Sequence, residues 1–286
     1  MDSPRRILTE RGLSPHKGRG QNFLCEPGLA RAMVKRAGIG PGDPVLEIGP
    51  GLGALTRLLL EAGAVVTAVE IDQGLHDYLA EELLPLFPDR LTLVRADVLE
   101  VDLAAVMPGN PPRFKVVANL PYVISTPLLL KLLDYRTQVS RAVLMFQKEL
   151  AERLTAVPGT KDYGRLTVLL GYYALVTPLM EAPARAFYPR PQVGSTVLEV
   201  VFKPGPKPEL KSEALFRRVL AAAFSRRRKT LRNSLASAFP KDQVEAALAA
   251  AGIDPGRRAE TLGFEEFAAL ANSWASNMDE PPLPGP

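Results

Sequence analysis

Residues 45–53 read Val-Leu-Glu-Ile-Gly-Pro-Gly-Leu-Gly, a short apolar run that breaks into alternate glycines and gives way at Ala54 to a helical pattern. Few local patterns restrict a fold more. A buried strand that turns on glycines straight into a helix starts a parallel α/β unit, and the turn lets a ligand approach bare backbone. Apolar runs at Val65–Val69, Leu91–Arg95, Phe114–Ala118 and Ala142–Phe146 repeat the theme and predict further strands. Helical spacing over Pro27–Ala37, Ala54–Ala62, about Gln73–Leu84 and Pro127–Leu133 supplies the intervening layers. Two late runs, Tyr172–Val176 and Thr196–Phe202, predict a terminal antiparallel hairpin. The expected fold is α/β: a doubly wound, mostly parallel, seven-stranded Rossmann-like sheet with that hairpin at its end.

The pattern changes after Lys203-Pro204-Gly205-Pro206-Lys207-Pro208, which reads as a stiff linker. Only helical spacing follows, over Ser212–Phe224, Thr230–Phe239, Asp242–Ala251 and Phe264–Ala275, so a small all-α domain is expected. The predicted divisions are an N-terminal arm at 1–24, a sheet domain at 25–204 and a helical domain at 205–286. With 286 residues and 47% hydrophobic content the chain can bury a full core, and no apolar run approaches the roughly 20 residues that span a bilayer. Cys25 is the single cysteine, and His16 and His76 lie far apart, so neither a disulfide nor a zinc site is expected. These features predict a cytoplasmic, metal-free, monomeric protein.

Charge is unevenly spread. Between Ala214 and Pro240 stand Arg217, Arg218, Arg226, Arg227, Arg228, Lys229 and Arg232, with no acid among them. The arm adds Arg5, Arg6, Arg11, Lys17 and Arg19 against Asp2 and Glu10. A solvated helix face is the bland account of such a run; the missing acids favour contact with phosphates, which would position a nucleic acid without reading it.

Glu70 ends the second strand 19 residues beyond Gly51, where a carboxylate can accept ribose hydroxyls. These residues suit a nicotinamide dinucleotide and S-adenosylmethionine equally. Asp97, just past the third strand, could accept from the amino group of a cofactor adenine, or could cap a turn. Asn119-Leu120-Pro121-Tyr122 closes the fourth strand at the same crevice. An Asn-x-Pro turn after a strand can be only a turn. Beside a nucleoside site it can also be a clasp: the Asn119 oxygen and a backbone carbonyl of Leu120 or Pro121 could take the hydrogens of an exocyclic amine, with Tyr122 stacked on the base. Together the two segments argue for methyl transfer from S-adenosylmethionine to an adenine amine.

Eight segments in fixed order carry a closer likeness. They are Gly20–Leu24, Glu47–Gly53, Val69–Asp72, Asn119–Tyr122, Gln147–Leu154, Tyr163–Leu166, Phe187-x-Pro189-x-Pro191-x-Val193-x-Ser195 and Arg227–Asn233. On these the chain resembles the KsgA-type adenine dimethyltransferases of small-subunit ribosomal RNA. The resemblance implies double N6 methylation, with S-adenosylmethionine, of two adjacent adenosines in the 3′-terminal hairpin of 16S rRNA within 30S-type particles. It implies that Gln21, Asn22, Leu24, Gly49, Gly51, Glu70, Asp97 and Asn119 hold the cofactor under the arm. It further implies that Phe187 stacks on the flipped base opposite Tyr122, although an aromatic plugging the core beside Pro189 fits the same residues. In the helical domain Arg226, Arg227, Arg228, Lys229 and Arg232 would meet RNA.

Overall fold

The computed structural model describes residues 3–275 apart from 17, 19 and 227. Lys17 and Arg19 of the arm, Arg227 of the cationic run and the tail 276–286 therefore lie outside the described residues. The chain divides into two compact units, Met1–Ala151 with Leu175–Phe202, and Glu152–Ala174 with Lys203–Pro286.

The first unit opens with helix α1 (Pro4–Glu10), strand β1 (Phe23–Leu24) and helix α2 (Pro27–Arg36). The alternation follows as β2 (Pro44–Ile48), α3 (Ala54–Glu61), β3 (Val65–Glu70), α4 (Gln73–Glu82), β4 (Leu91–Arg95), β5 (Phe114–Asn119), α5 (Ser125–Asp134) and β6 (Val139–Gln147). Helix α6 (Lys148–Leu154) and α7 (Arg165–Tyr173) come next, then β7 (Ala174–Ala182), β8 (Phe187–Tyr188) and β9 (Ser195–Phe202). Seven strands form one sheet in the order β4-β3-β2-β5-β6-β9-β7. β4, β3, β2, β5 and β6 are mutually parallel, and β9 runs antiparallel to β6 with Ala142 opposite Val200. The order reverses between β2 and β5, so the crevice beyond their carboxyl ends is the expected ligand position.

Burial explains the alternation. Val45, Leu46, Val66, Ala68, Val116 and Val117 are fully covered, and the inner faces of α2 and α3 cluster with Val45, Val66, Ala68 and Val117 through Met33, Leu59 and Leu60. Such strands read as continuous apolar runs because both sheet faces are covered.

Three features depart from the linear reading. The polar arm contains α1, which tucks Leu8 against Phe23 and Leu75. A second, two-stranded sheet pairs Phe23 with Tyr188 and Leu24 with Phe187. Tyr172 and Tyr173, read as the start of a strand, instead finish α7, where Tyr172 packs edge-on against Tyr173 and 5.0 Å from Phe216.

The second unit is all helical: α7, α8 (Glu213–Ala223), α9 (Leu231–Leu235), α10 (Lys241–Ala250) and α11 (Phe264–Ala275). Phe216, Leu220, Leu235, Leu248, Phe267 and Trp274 fill its core. Ser212 and Thr230 cap α8 and α9 through their hydroxyls, satisfying amides that the first helical turn leaves open. Residues 152–174 thus group with the C-terminal helices, although they precede the last strands of the sheet. Among the described residues no helix is long and apolar enough to cross a membrane.

Candidate active site

β2 delivers the chain into the glycine turn, and Gly49, Gly51 and Gly53 all take positive φ, at 63°, 59° and 76°. At Gly51 the requirement is double, because a Cβ there would also stand 3.1 Å from the Phe23 ring. The turn is tied to the next strand by the Glu70 carboxylate, which accepts from the Gly51 amide at 3.1 Å and from the Asp72 amide at 2.9 Å. Glu70 is 4% exposed, and its burial pushes its carboxyl up, the two amides pulling the other way. Each carboxylate oxygen keeps a lone pair for a further donor. Asp97 lies on the same cavity and accepts from the Leu99 amide at 2.8 Å, a turn role that leaves its second oxygen available.

The cavity, about 200 Å³, runs from these residues to the end of β5. Gln21, Asn22, Leu24, Gly49, Glu70, Asp97, Asn119, Leu120, Pro121 and Tyr122 all line it, so these ten sequence-predicted residues meet at one crevice. Gly51 acts from just outside, through its amide to Glu70.

Asn119 is held rather than free. Its Nδ2 donates to the Asn22 carbonyl at 3.0 Å, and Asn22 in turn donates from its own amide to Gly20. That bond fixes which way round the Asn119 amide sits, leaving Oδ1 as a pure acceptor with no hydrogen bond among the described residues. The following carbonyls divide their roles. Pro121 accepts from the Ile124 amide at 3.2 Å and the Ser125 hydroxyl at 3.3 Å, closing a single 3-10 turn over Tyr122–Ile124. Leu120 has no such partner among the described residues, so its carbonyl is the one left open beside Oδ1. The Tyr122 hydroxyl meets the Ser195 hydroxyl at 3.2 Å, which sets the ring's position.

Phe187 does not join this group. It is 4% exposed, sits in the main core and pairs through its backbone with the cavity-lining Leu24, but is not itself among the lining residues. In this conformation the ring is packed in the core cluster beside Leu24.

Glu47, just ahead of the glycine turn, has no role in the linear reading. It lines the cavity at 1% exposure, and its Oε2 finds no hydrogen-bond partner among the described residues. Burial pushes its carboxyl up to about 8, with the Glu70 charge acting in the same sense. An acid at the end of a fully buried strand was the available signal. A cation arriving in the cavity would give this orphaned oxygen a counter-charge. With the glycine cradle and the Glu70 lone pairs, the donor set fits an ammonium- and ribose-bearing ligand such as S-adenosylmethionine.

In the helical unit Arg226, Arg228 and Lys229 are exposed and have no acidic partner among the described residues, whereas Arg232 pairs with Glu245 at 3.2 Å.

Three comparisons bear on this geometry. Residues 13–276 match the family model described as ribosomal RNA adenine dimethylase. The chain is 45% identical over 275 residues to the ribosomal RNA small subunit methyltransferase A of Moorella thermoacetica, covering 93% of this chain and 95% of that protein. A dimethyladenosine transferase from Plasmodium falciparum superposes with a TM-score of 0.75 at 28% identity, covering 87% of this chain and 95% of the other. The 23S rRNA methyltransferase ErmE does so with a TM-score of 0.67 at 29% identity, over 89% of this chain and 100% of the other. A parallel sheet, a glycine-cradled nucleoside cavity and an oriented amide beside it agree with these matches: the chain is an S-adenosylmethionine-dependent methyltransferase and belongs to the ribosomal RNA adenine dimethylase family.

Proposed function

We propose that the chain dimethylates N6 of two adjacent adenosines in the 3′-terminal hairpin of 16S rRNA, acting as a cytoplasmic monomer on 30S-type particles. The observation that carries the reading is the Asn119 amide, whose Nδ2 is committed to Asn22 at 3.0 Å and whose Oδ1 therefore faces a substrate as acceptor only.

The amine of adenine is a weak nucleophile because its lone pair is delocalised into the ring. Asn119 Oδ1 and the Leu120 carbonyl take its two hydrogens, which turns the lone pair out of conjugation and aims it; no general base is needed before attack. Bound S-adenosylmethionine supplies the electrophilic methyl group on a sulfonium. Tyr122, steadied by Ser195, covers one face of the base, and the apolar wall of the cavity keeps water from competing. The nitrogen is cationic once it has taken a methyl group, is strongly acidic in that form, and sheds one proton to solvent to give the neutral methylated amine. The first product keeps one N–H and therefore one of the two acceptors; the second keeps none. Loss of both hydrogen bonds favours release after the second transfer. A target base must leave its stack to reach such a cavity.

Glu70 would hold the ribose and Asp97 the cofactor's adenine, with Gln21, Asn22 and Leu24 forming the arm's side of the pocket. Arg226, Arg228, Lys229 and Arg232, with Arg227, would bind phosphates. The test is to incubate the protein with unmethylated 30S and 50S particles and labelled S-adenosylmethionine, then map modified nucleotides by mass spectrometry. Two adjacent dimethyladenosines in 16S rRNA are expected. Label in 23S rRNA alone, as the name of ErmE would suggest for that protein, would overturn the assignment.

A further inference from the structure

Six large apolar side chains stand well exposed among the described residues, and two of these line the cavity: Ile71 at 47% and Val123 at 64%. Ile71 follows Glu70, on the ribose side. Val123 follows Tyr122, on the 3-10 turn that Pro121 closes by accepting from Ile124 and Ser125. A β-branched side chain on a turn held in this way has little freedom to fold back, so it projects as a fixed apolar point at the mouth.

Its neighbours show what could meet it. On one side the arm comes close: a Cβ on Gly20 would stand 3.6 Å from Val123 Cγ2. Residues 189–194 form a loop hung between Tyr188, paired with Phe23 of the cavity wall, and Ser195, bonded to Tyr122. That loop carries Val193, 46% exposed, and Arg190, exposed with no acidic partner among the described residues. Arg185, just ahead of β8, is likewise exposed and unpaired there. The acids nearby are Glu149 and Glu181, the latter 3.8 Å from Lys148. An exposed apolar tip on the cavity wall, with uncommitted guanidinium groups on the segment that flanks β8, matches a nucleotide strand: a base face for the one, phosphates for the other.

We propose that Val123 packs on the face of the nucleobase next to the extruded adenine, occupying stacking surface that the adenine vacates, and so positions the RNA for transfer. This rests on reading the cavity as the adenine pocket. Aliphatic wedges of this kind offset the loss of stacking when a base is displaced. Because the two targets are adjacent, the neighbour that Val123 touches during one transfer is the substrate of another.

The experiment compares the full chain with Val123→Asp and Val123→Ile on unmethylated 30S particles. It measures KM for particles, kcat, the ratio of one to two dimethylated sites, S-adenosylmethionine affinity by calorimetry, and Tm. The aspartate variant should raise KM for particles roughly tenfold, the loss expected for a buried aliphatic contact. It should also skew products toward a single modified site, with cofactor affinity and Tm unchanged. The isoleucine variant should stay within about twofold of the parent. An unchanged KM and product ratio in Val123→Asp overturns the proposal. So does a loss of cofactor affinity that accounts for the whole defect, which would assign Val123 to the cofactor. If the parent itself leaves the 16S adenosines unmodified, the adenine-pocket reading fails and takes the proposal with it.

Discussion

Replacing Asn119 with Asp isolates orientation from acceptor strength. The carboxylate keeps an oxygen for the substrate amine, indeed a stronger one, but loses the Nδ2 donor that now reaches the Asn22 carbonyl at 3.0 Å. Two oxygens would face each other across that distance in a half-buried setting, one of them charged. Leaving such a carbonyl unsatisfied costs about 1–3 kcal/mol. Relief comes by rotating the side chain, which carries the remaining acceptor away from the amine. If the lost energy appears in the transition state, kcat falls by about 5- to 150-fold at 1.36 kcal/mol per decade. Cofactor affinity should hold or improve, since a negative charge has been placed near a cation. One further signature separates this account from a general loss of fit: a protonated aspartic acid regains an O–H that can donate to Asn22. Activity of Asn119→Asp relative to the parent should therefore rise as pH is lowered. The assay is single-turnover methylation of 30S particles at saturating S-adenosylmethionine across pH. Turnover within threefold of the parent at neutral pH, with no relative gain in acid, would refute the orientation argument.

Three other expectations follow from the same cavity and from the helical unit. Glu47 titrates near 4.5 when unfolded and about 8 when folded, so the folded state holds the extra proton between those values and stability falls as pH rises through them. Glu47→Gln should flatten that decline, seen as Tm against pH, and parallel curves would remove Glu47 from the account. Gly51→Ala must adopt φ near 59° and press on Phe23, so it should lose about 1–3 kcal/mol of stability and weaken cofactor binding by calorimetry; a parent-like Tm and affinity would contradict this. Arg228→Ala with Lys229→Ala should reduce the slope of log affinity for RNA against log salt by about 0.7–0.9 per lost phosphate contact, sparing cofactor binding. An unchanged slope would take both residues out of the interface.

The sheet was legible because its strands are buried on both faces and separated by regular helices; Val45–Ile48 and Phe114–Ala118 differ from the observed strands by a residue at one end. The crevice was legible too, since the glycine turn, Glu70, Asp97 and Asn119 each sit at a strand's carboxyl end. What escaped depends on partners remote in sequence. β1 and β8 are two residues each, too short for any periodicity, and exist only because each pairs with the other. Phe187 reads identically as a base platform or a core plug, and the cluster that buries it beside Leu24 is assembled from residues remote in sequence. Tyr172 and Tyr173 carry high strand propensity but finish a helix, where Tyr172 packs on Phe216 and Tyr173 on Tyr172. The direction of the Asn119 amide is set by a carbonyl 97 residues upstream, which no local pattern encodes.

Helix α7 carries a consequence for how the molecule can be cut. The chain leaves the sheet after β6, contributes α7 to the helical unit, and returns to lay down its last two long strands. Val168, Leu169, Leu170 and Tyr172 are buried, and α7 packs on α8 and α11, which arrive only after residue 203, with Tyr172 against Phe216. Severing the protein at its proline-rich linker would strand that greasy surface in water, so the C-terminal region is not a detachable accessory. During synthesis the same surface must wait for more than forty further residues before α8 can shield it, a window in which the nascent chain is open to misassociation.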